Sequence, residues 1–113
     1  MTTTAKEFHD FTGAFTDALI FLEAGGKTDT GITAKLRSRI ESDCGGFIEA
    51  AHTAISGRME EAGADFLLTR NWYGEGFEDG SWSEDGARLK ALARSFDVLY
   101  VVINEDGILG LLP

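Results

Sequence analysis

The chain has 113 residues, 43% hydrophobic and 26% charged, with eight Phe, two Trp and two Tyr; that supplies one self-supporting core and leaves no room for a second domain. Ten basic residues against nineteen acidic ones give a formal charge of −9, which disfavours nucleic acid and anionic membrane as direct partners and favours a basic protein surface. The single cysteine, Cys44, excludes an internal disulfide, the run Val98 to Ile103 is too short to cross a bilayer, and Met-Thr-Thr-Thr-Ala-Lys lacks the order of a signal peptide, so a cytoplasmic protein is expected.

Phe8, Phe11, Phe15, Leu19 and Leu22 recur at steps of three and four and predict a first helix from about Ala5 to Ala24, opened by a Thr4/Glu7 capping box and stopped by Gly25-Gly26. From Ile32 the same spacing runs through Leu36, Ile40, Cys44, Phe47, Ile48, Ala51 and Ile55 and predicts one long helix, closed by Gly57. Gly45-Gly46 in its middle cost roughly 2 kcal/mol of helix propensity against alanine, so a bend or the close approach of another backbone is expected there.

Asp65 to Arg70 is short, apolar and bounded by turn residues, which reads as a strand; Asn71 to Gly76 is a tight connection, and Phe77 opens a second short strand cut off by Asp79-Gly80. Ser81 and Glu84 match a second capping box, followed by Leu89, Leu92, Ala93 and Phe96 on a short third helix that ends before Asp97. Val98 to Ile103 and Ile108 to Leu112, joined by Asn104-Glu105-Asp106-Gly107, predict a terminal β-hairpin. The expected architecture is a single α+β domain over residues 1–113, ordered ααββαββ, with an antiparallel sheet packed on helices.

No catalytic constellation is legible, and neither an enzyme nor a cofactor is expected. Cys44 and His52 lie eight residues apart on one predicted helix, about 12 Å of rise, too far to share a metal or a hydrogen bond. Cys44 falls on a stripe of Leu, Ile and Phe and reads as core; His9 reads as surface. Asp79 to Gly86 has oxygen ligands at alternate positions, but Glu84 and Lys90 stand where a calcium-binding EF-hand loop needs its sixth-position glycine and twelfth-position glutamate. Gly74-Glu75-Gly76 opens no helix and meets no lysine, so it is not a phosphate-cradling loop.

The candidate contact surface is Asn71 to Ala87, where Glu75, Glu78, Asp79, Glu84 and Asp85 occur without a basic residue and alternate with Trp72, Tyr73, Phe77 and Trp82. Rings that supply buried area and acids that steer and pair are what an Arg/Lys-rich partner requires. Phe77 and Trp82 read equally well as core, with Trp72 and Tyr73 as the exposed pair. Glu60 and Glu61, flanked by no aromatic residue, are expected to matter less.

Ala62-Gly63-Ala64-Asp65-Phe66-Leu67-Leu68-Thr69-Arg70-Asn71, followed by Gly74-Glu75-Gly76-Phe77-Glu78-Asp79-Gly80, resembles a segment of a family of small phage and prophage proteins. The likeness covers the C-terminal half and departs at Ala64, Leu67, Trp72-Tyr73 and Glu78, where the family commonly has histidine and tryptophan. The resemblance implies phage origin and no particular chemistry. With the charge, it leads to the expectation of an anti-defence, anti-CRISPR-like inhibitor acting in the cytoplasm of the bacterial host on the basic surface of a Cas subunit or other nuclease. The alternative is a structural or accessory phage protein that self-associates as a homodimer through its terminal hairpin.

Overall fold

A computed structural model describes residues 3–25 and 31–112 of the chain. They form four α-helices and a two-stranded antiparallel sheet: α1 (Ala5–Glu23), α2 (Ala34–Ile55), α3 (Met59–Arg70), α4 (Gly86–Ser95), β1 (Val101–Ile103) and β2 (Leu109–Leu111), with single 3₁₀ turns at Gly76–Glu78 and Ser83–Asp85 before α4. The class is α+β, but the order is four helices and then a hairpin.

Helix α1 begins as its sequence dictates. The Thr4 hydroxyl accepts the Glu7 N–H at 3.1 Å and the Glu7 carboxylate accepts the Thr4 N–H at 3.0 Å, so two orphan amides of the first turn are satisfied. It buries Phe11, Phe15, Leu19 and Ile20 and gives way to Gly25 at φ 65°; Gly26 lies outside the described residues. Helix α2 is capped by Thr33, whose hydroxyl accepts the Leu36 N–H at 3.2 Å, and it runs unbroken through Gly45 and Gly46. Among the described residues no backbone of another element approaches either glycine. The nearest atoms to a Cβ at Gly45 or Gly46 are the rings of Phe8 and Phe96, each 3.7 Å away.

The backbone approach lies at Gly63 instead. Helices α1 and α3 cross there so closely that a Cβ on Gly63 would sit 2.1 Å from the carbonyl oxygen of Phe11, and no residue with a side chain fits. The expected strand at Asp65 to Arg70 is therefore the second half of helix α3, and Phe77, expected on a second strand, lies in a 3₁₀ turn. Helix α3 buries Met59, Ala62, Gly63, Asp65, Phe66, Leu67, Thr69 and Arg70. A helix enclosed on more than one side has no clean polar stripe, and its short apolar run imitates a strand. The second capping box also fails to form. Ser81 Oγ donates to Asp79 Oδ1 at 2.7 Å rather than capping a helix, and α4 starts after Asp85 with no side-chain cap.

The core is aromatic. Phe66 of α3 lies 4.3 Å from Phe47, 5.2 Å from Phe96, 5.4 Å from Phe15 and 5.8 Å from Phe11, centroid to centroid, joining α1, α2, α3 and the segment after α4. Each such pair contributes about 0.5–1.5 kcal/mol beyond its buried area. Phe77 stacks on Phe47 at 5.7 Å and meets Trp82 edge-on at 5.4 Å; both residues are buried and belong to the core.

The hairpin pairs Val101 with Leu111, Val102 with Gly110 and Ile103 with Leu109. Its inner strand is held on the far side by the segment before α2, where Leu109 donates to Gly31 O at 3.0 Å and Thr33 donates to Leu109 O at 2.8 Å. Cys44 is fully buried on α2, and burial pushes its thiol up to about 12. None of the described helices is long and apolar enough to cross a membrane.

Candidate binding surface

The loop that follows α3 is fixed from below by the helix itself. Asp65 Oδ2 accepts the Trp82 indole N–H at 2.7 Å, Thr69 Oγ1 accepts the Phe77 N–H at 3.1 Å, and the Asn71 side chain accepts from Leu99 N at 2.8 Å while donating to Leu99 O at 3.0 Å. Arg70 is fully buried: it donates to Asp43 Oδ2 at 3.0 Å and to the Asp97 carbonyl at 2.7 and 3.1 Å. Burial lowers the Arg70 pKa against the opposing pull of Asp43. A buried guanidinium with both faces of its fork satisfied is a cross-link between α2, α3 and the residues entering β1. Gly76, at φ 49°, passes so close to α3 that a Cβ would lie 2.1 Å from Thr69 Oγ1.

Asp65, Phe66, Thr69, Arg70, Asn71, Gly76 and Phe77 all lie in the stretch on which a phage-protein resemblance was read, and each is used internally to build this scaffold. What the scaffold presents is the Trp72-Tyr73 turn. Trp72 is 64% exposed and Tyr73 42%. Trp72 sits at φ 60°, a left-handed conformation that costs a bulky residue about 1–2 kcal/mol. The Arg94 guanidinium lies 3.4 Å over the Trp72 ring and holds it across the end of α4.

The acidic residues of the loop divide into two kinds. Glu78 is paired with Lys90, and Asp85 with Arg88 at 3.0 Å. Asp79 accepts from Ser81 N at 2.8 Å as well as from its hydroxyl, and the hydroxyl bond, with the backbone bond behind it, lowers the Asp79 pKa. Glu75 and Glu84 are exposed, and among the described residues neither forms an ion pair.

A second acidic area, of which the sequence showed only Glu60 and Glu61 as a pair expected to matter less, adjoins the first. Arg58 pairs with Glu61 at 2.6 Å, donates to Ser81 O at 3.0 Å and lies 3.7 Å over the Trp82 ring, while Ser81 Oγ donates to Glu61 Oε2 at 3.4 Å. Glu61 is thereby fastened to the loop from which its sequence position appeared to separate it. Beside it a groove of about 590 Å³ runs along the α1–α3 crossing, where Glu7, Asp10, Glu60 and Glu61 outnumber Lys6 and Arg58, and continues into one of about 550 Å³ that adds His9 and Asp17. Asp10 and Glu60 are fifty residues apart in sequence, and only a helical reading of residues 59–70 brings them together. The spacing of Met59, Ala62, Phe66 and Thr69 carried that signal.

His9 is exposed on α1, whereas His52 is buried with Nε2 2.9 Å from Glu7 Oε2. Among the described residues no three His, Cys, Asp or Glu side chains are grouped to hold a metal ion.

No protein family, curated protein or solved structure matches the chain.

Proposed function

We propose that this protein is a binding protein that occupies a basic, nucleic-acid-handling surface of a bacterial defence nuclease, with an anti-CRISPR-like inhibitor as the specific form. Its contact surface is Trp72, Tyr73, Glu75, Glu78, Asp79, Glu84 and Asp85. The observation that supports this reading best is Trp72: a large ring, exposed and held in a costly backbone conformation beside the exposed Tyr73, on a loop that buries Phe77 and Trp82. Exposed strain maintained by surrounding structure is a mark of functional positions, and an exposed indole on the same loop as pair-free carboxylates is the composition of a hot spot for a cationic partner. The net charge of −9 supplies long-range attraction to a channel built for phosphates.

Affinity capture with the full chain as bait, from a lysate of a CRISPR-bearing bacterium, tests the class of partner. Recovery of a Cas subunit or another nuclease is the expected result; recovery only of the bait itself would count against the proposal. With the captured partner purified, the association rate should fall as ionic strength rises toward 0.15 M, where charges more than about 8 Å apart are screened. A rate indifferent to salt would remove the electrostatic basis of the reading.

A further inference from the structure

We infer that β1 is the contact strand of a symmetric dimer, in which two copies of the chain join their hairpins edge to edge into one antiparallel sheet. Leu112 donates to Tyr100 O at 3.0 Å and Asn104 donates to Ile108 O at 2.9 Å, so along this ladder Tyr100, Val102 and Asn104 turn their amide groups toward β2. By the alternation of antiparallel strands, Val101 and Ile103 turn theirs outward. The opposite side of β2 is already taken by the parallel bridge to Ile32, and the sheet order ends at β1. Among the described residues nothing pairs with the outward N–H and C=O groups of Val101 and Ile103.

Native edge strands ordinarily carry a lysine, a proline, a bulge or an inward charge that discourages pairing. None occurs from Val98 to Asn104. In a chain of charge −9 this window carries no charge of its own, so two copies can pair along it without setting like charges directly opposite each other. Around it Tyr100, Val102, Ile103 and Leu112 are exposed by 64%, 41%, 48% and 53%, an apolar surface continuous with the open edge.

The register follows from the same residues. A two-fold axis at Val102 sets Val101 opposite Ile103 of the second copy, and each such pair exchanges two backbone hydrogen bonds. Tyr100 then faces Asn104, and Glu105 and Asp106 fall opposite Leu99 and Val98, so no acid meets an acid. An axis at Val101 would set Asp97 against Glu105, a like-charge pair. An axis at Ile103 would draw Glu105 and Asp106 of the turn into the ladder. Val102 is the centre that avoids both.

Sedimentation velocity on the full chain tests this. The expected result is a concentration-dependent shift from 12.2 kDa toward twice that mass, strengthened by salt because screening relieves the repulsion between two acidic copies. Val102→Lys, which sets two like charges at the axis, should weaken dimerisation by about tenfold or more. Ile103→Pro removes an outward N–H without touching the hydrogen bonds to β2, and should do the same while leaving the far-ultraviolet circular dichroism unchanged. A wild-type chain that stays monomeric to millimolar concentration, or a dimer that survives both substitutions in a folded protein, would overturn the inference.

Discussion

The indole N–H of Trp82 donates to the carboxylate of Asp65 at 2.7 Å, both residues being buried, across seventeen positions of sequence. This bond joins the loop to the helix below it, and it makes Asp65 a structural acid. Asp65→Ala leaves a buried indole N–H without an acceptor and should cost about 1–3 kcal/mol. Asp65→Asn keeps an acceptor and removes a buried charge, so its loss at pH 7 should stay within about 1 kcal/mol. Urea midpoints of the two variants check the order.

The same carboxyl gives a pH dependence of definite sign. Burial raises the Asp65 pKa, opposed by the Trp82 hydrogen bond. An acid whose folded pKa lies above its unfolded value stabilises the fold fully below the unfolded value, and that contribution is lost as pH rises through the folded one. Wild type should therefore gain on Asp65→Asn as pH falls from 7 into the carboxylate range. Glu7 and Asp79 have lowered pKa values, from the Thr4 backbone bond and the Ser81 hydroxyl bond respectively, and work in the opposite direction. Comparing each variant with wild type at both pH values separates these contributions, and a wild type that loses ground to Asp65→Asn on acidification would refute the assignment.

Glycines divide in a way that the sequence alone does not show. Gly63→Ala drives a Cβ against the Phe11 carbonyl and Gly76→Ala drives one against Thr69 Oγ1, each at 2.1 Å; both should lose roughly 1–3 kcal/mol or more. Gly45→Ala and Gly46→Ala meet only the Phe8 and Phe96 rings at 3.7 Å and should gain roughly 0.5–1 kcal/mol each from helix propensity. Thermal midpoints moving in opposite directions for the two pairs are the expected outcome.

Helix α1 with its capping box, helix α2 with its stop at Gly57 and the terminal hairpin were legible because each carries a periodic or alternating pattern with a stop signal; the Thr33 cap of α2 was not read. Helix α3 was not. Its buried polar residues, Asp65, Thr69 and Arg70, face protein rather than water, which erases the polar stripe that identifies an amphipathic helix. The loss of α3 hid the α1–α3 groove and made Glu60-Glu61 look remote from Asp79 and Ser81. Trp72 and Tyr73 read as the exposed pair because they occupy the turn, whereas burial of Phe77 and Trp82 could be stated only as one of two alternatives.

Cys44 reads as core in the sequence and is fully buried in the fold. Cys44→Ala should lose roughly 1–2 kcal/mol and keep partner binding. With its thiol pushed up to about 12, labelling of native Cys44 by a thiol reagent at pH 8 should require unfolding. Rapid labelling of the folded protein, or loss of binding in folded Cys44→Ala, would assign the thiol a chemical role.

The loop surface is tested most cleanly by residues whose removal spares the fold. Glu75 and Glu84 are exposed and form no ion pair, so Glu75→Lys with Glu84→Lys reverses charge without breaking Glu78–Lys90 or Asp85–Arg88. Glu105→Lys with Asp106→Lys changes net charge equally on the hairpin turn, outside the loop; Glu60 and Glu61 cannot serve as this control, because Arg58 and Ser81 fasten Glu61 to the loop. If the loop makes the contact, the first pair should weaken partner binding well beyond the second, whereas equal losses would mean that net charge alone drives association. Trp72→Ala and Trp72→Gly add the aromatic half of the test. Glycine accepts the left-handed backbone at φ 60° that alanine does not, so Trp72→Gly should be more stable than Trp72→Ala by about 1 kcal/mol. Both should nevertheless lose the same binding energy, about 2 kcal/mol or more for a hot-spot indole. Binding that follows stability, better in Trp72→Gly than in Trp72→Ala, would make Trp72 a structural residue of the loop and move the contact surface to the acidic groove between α1 and α3.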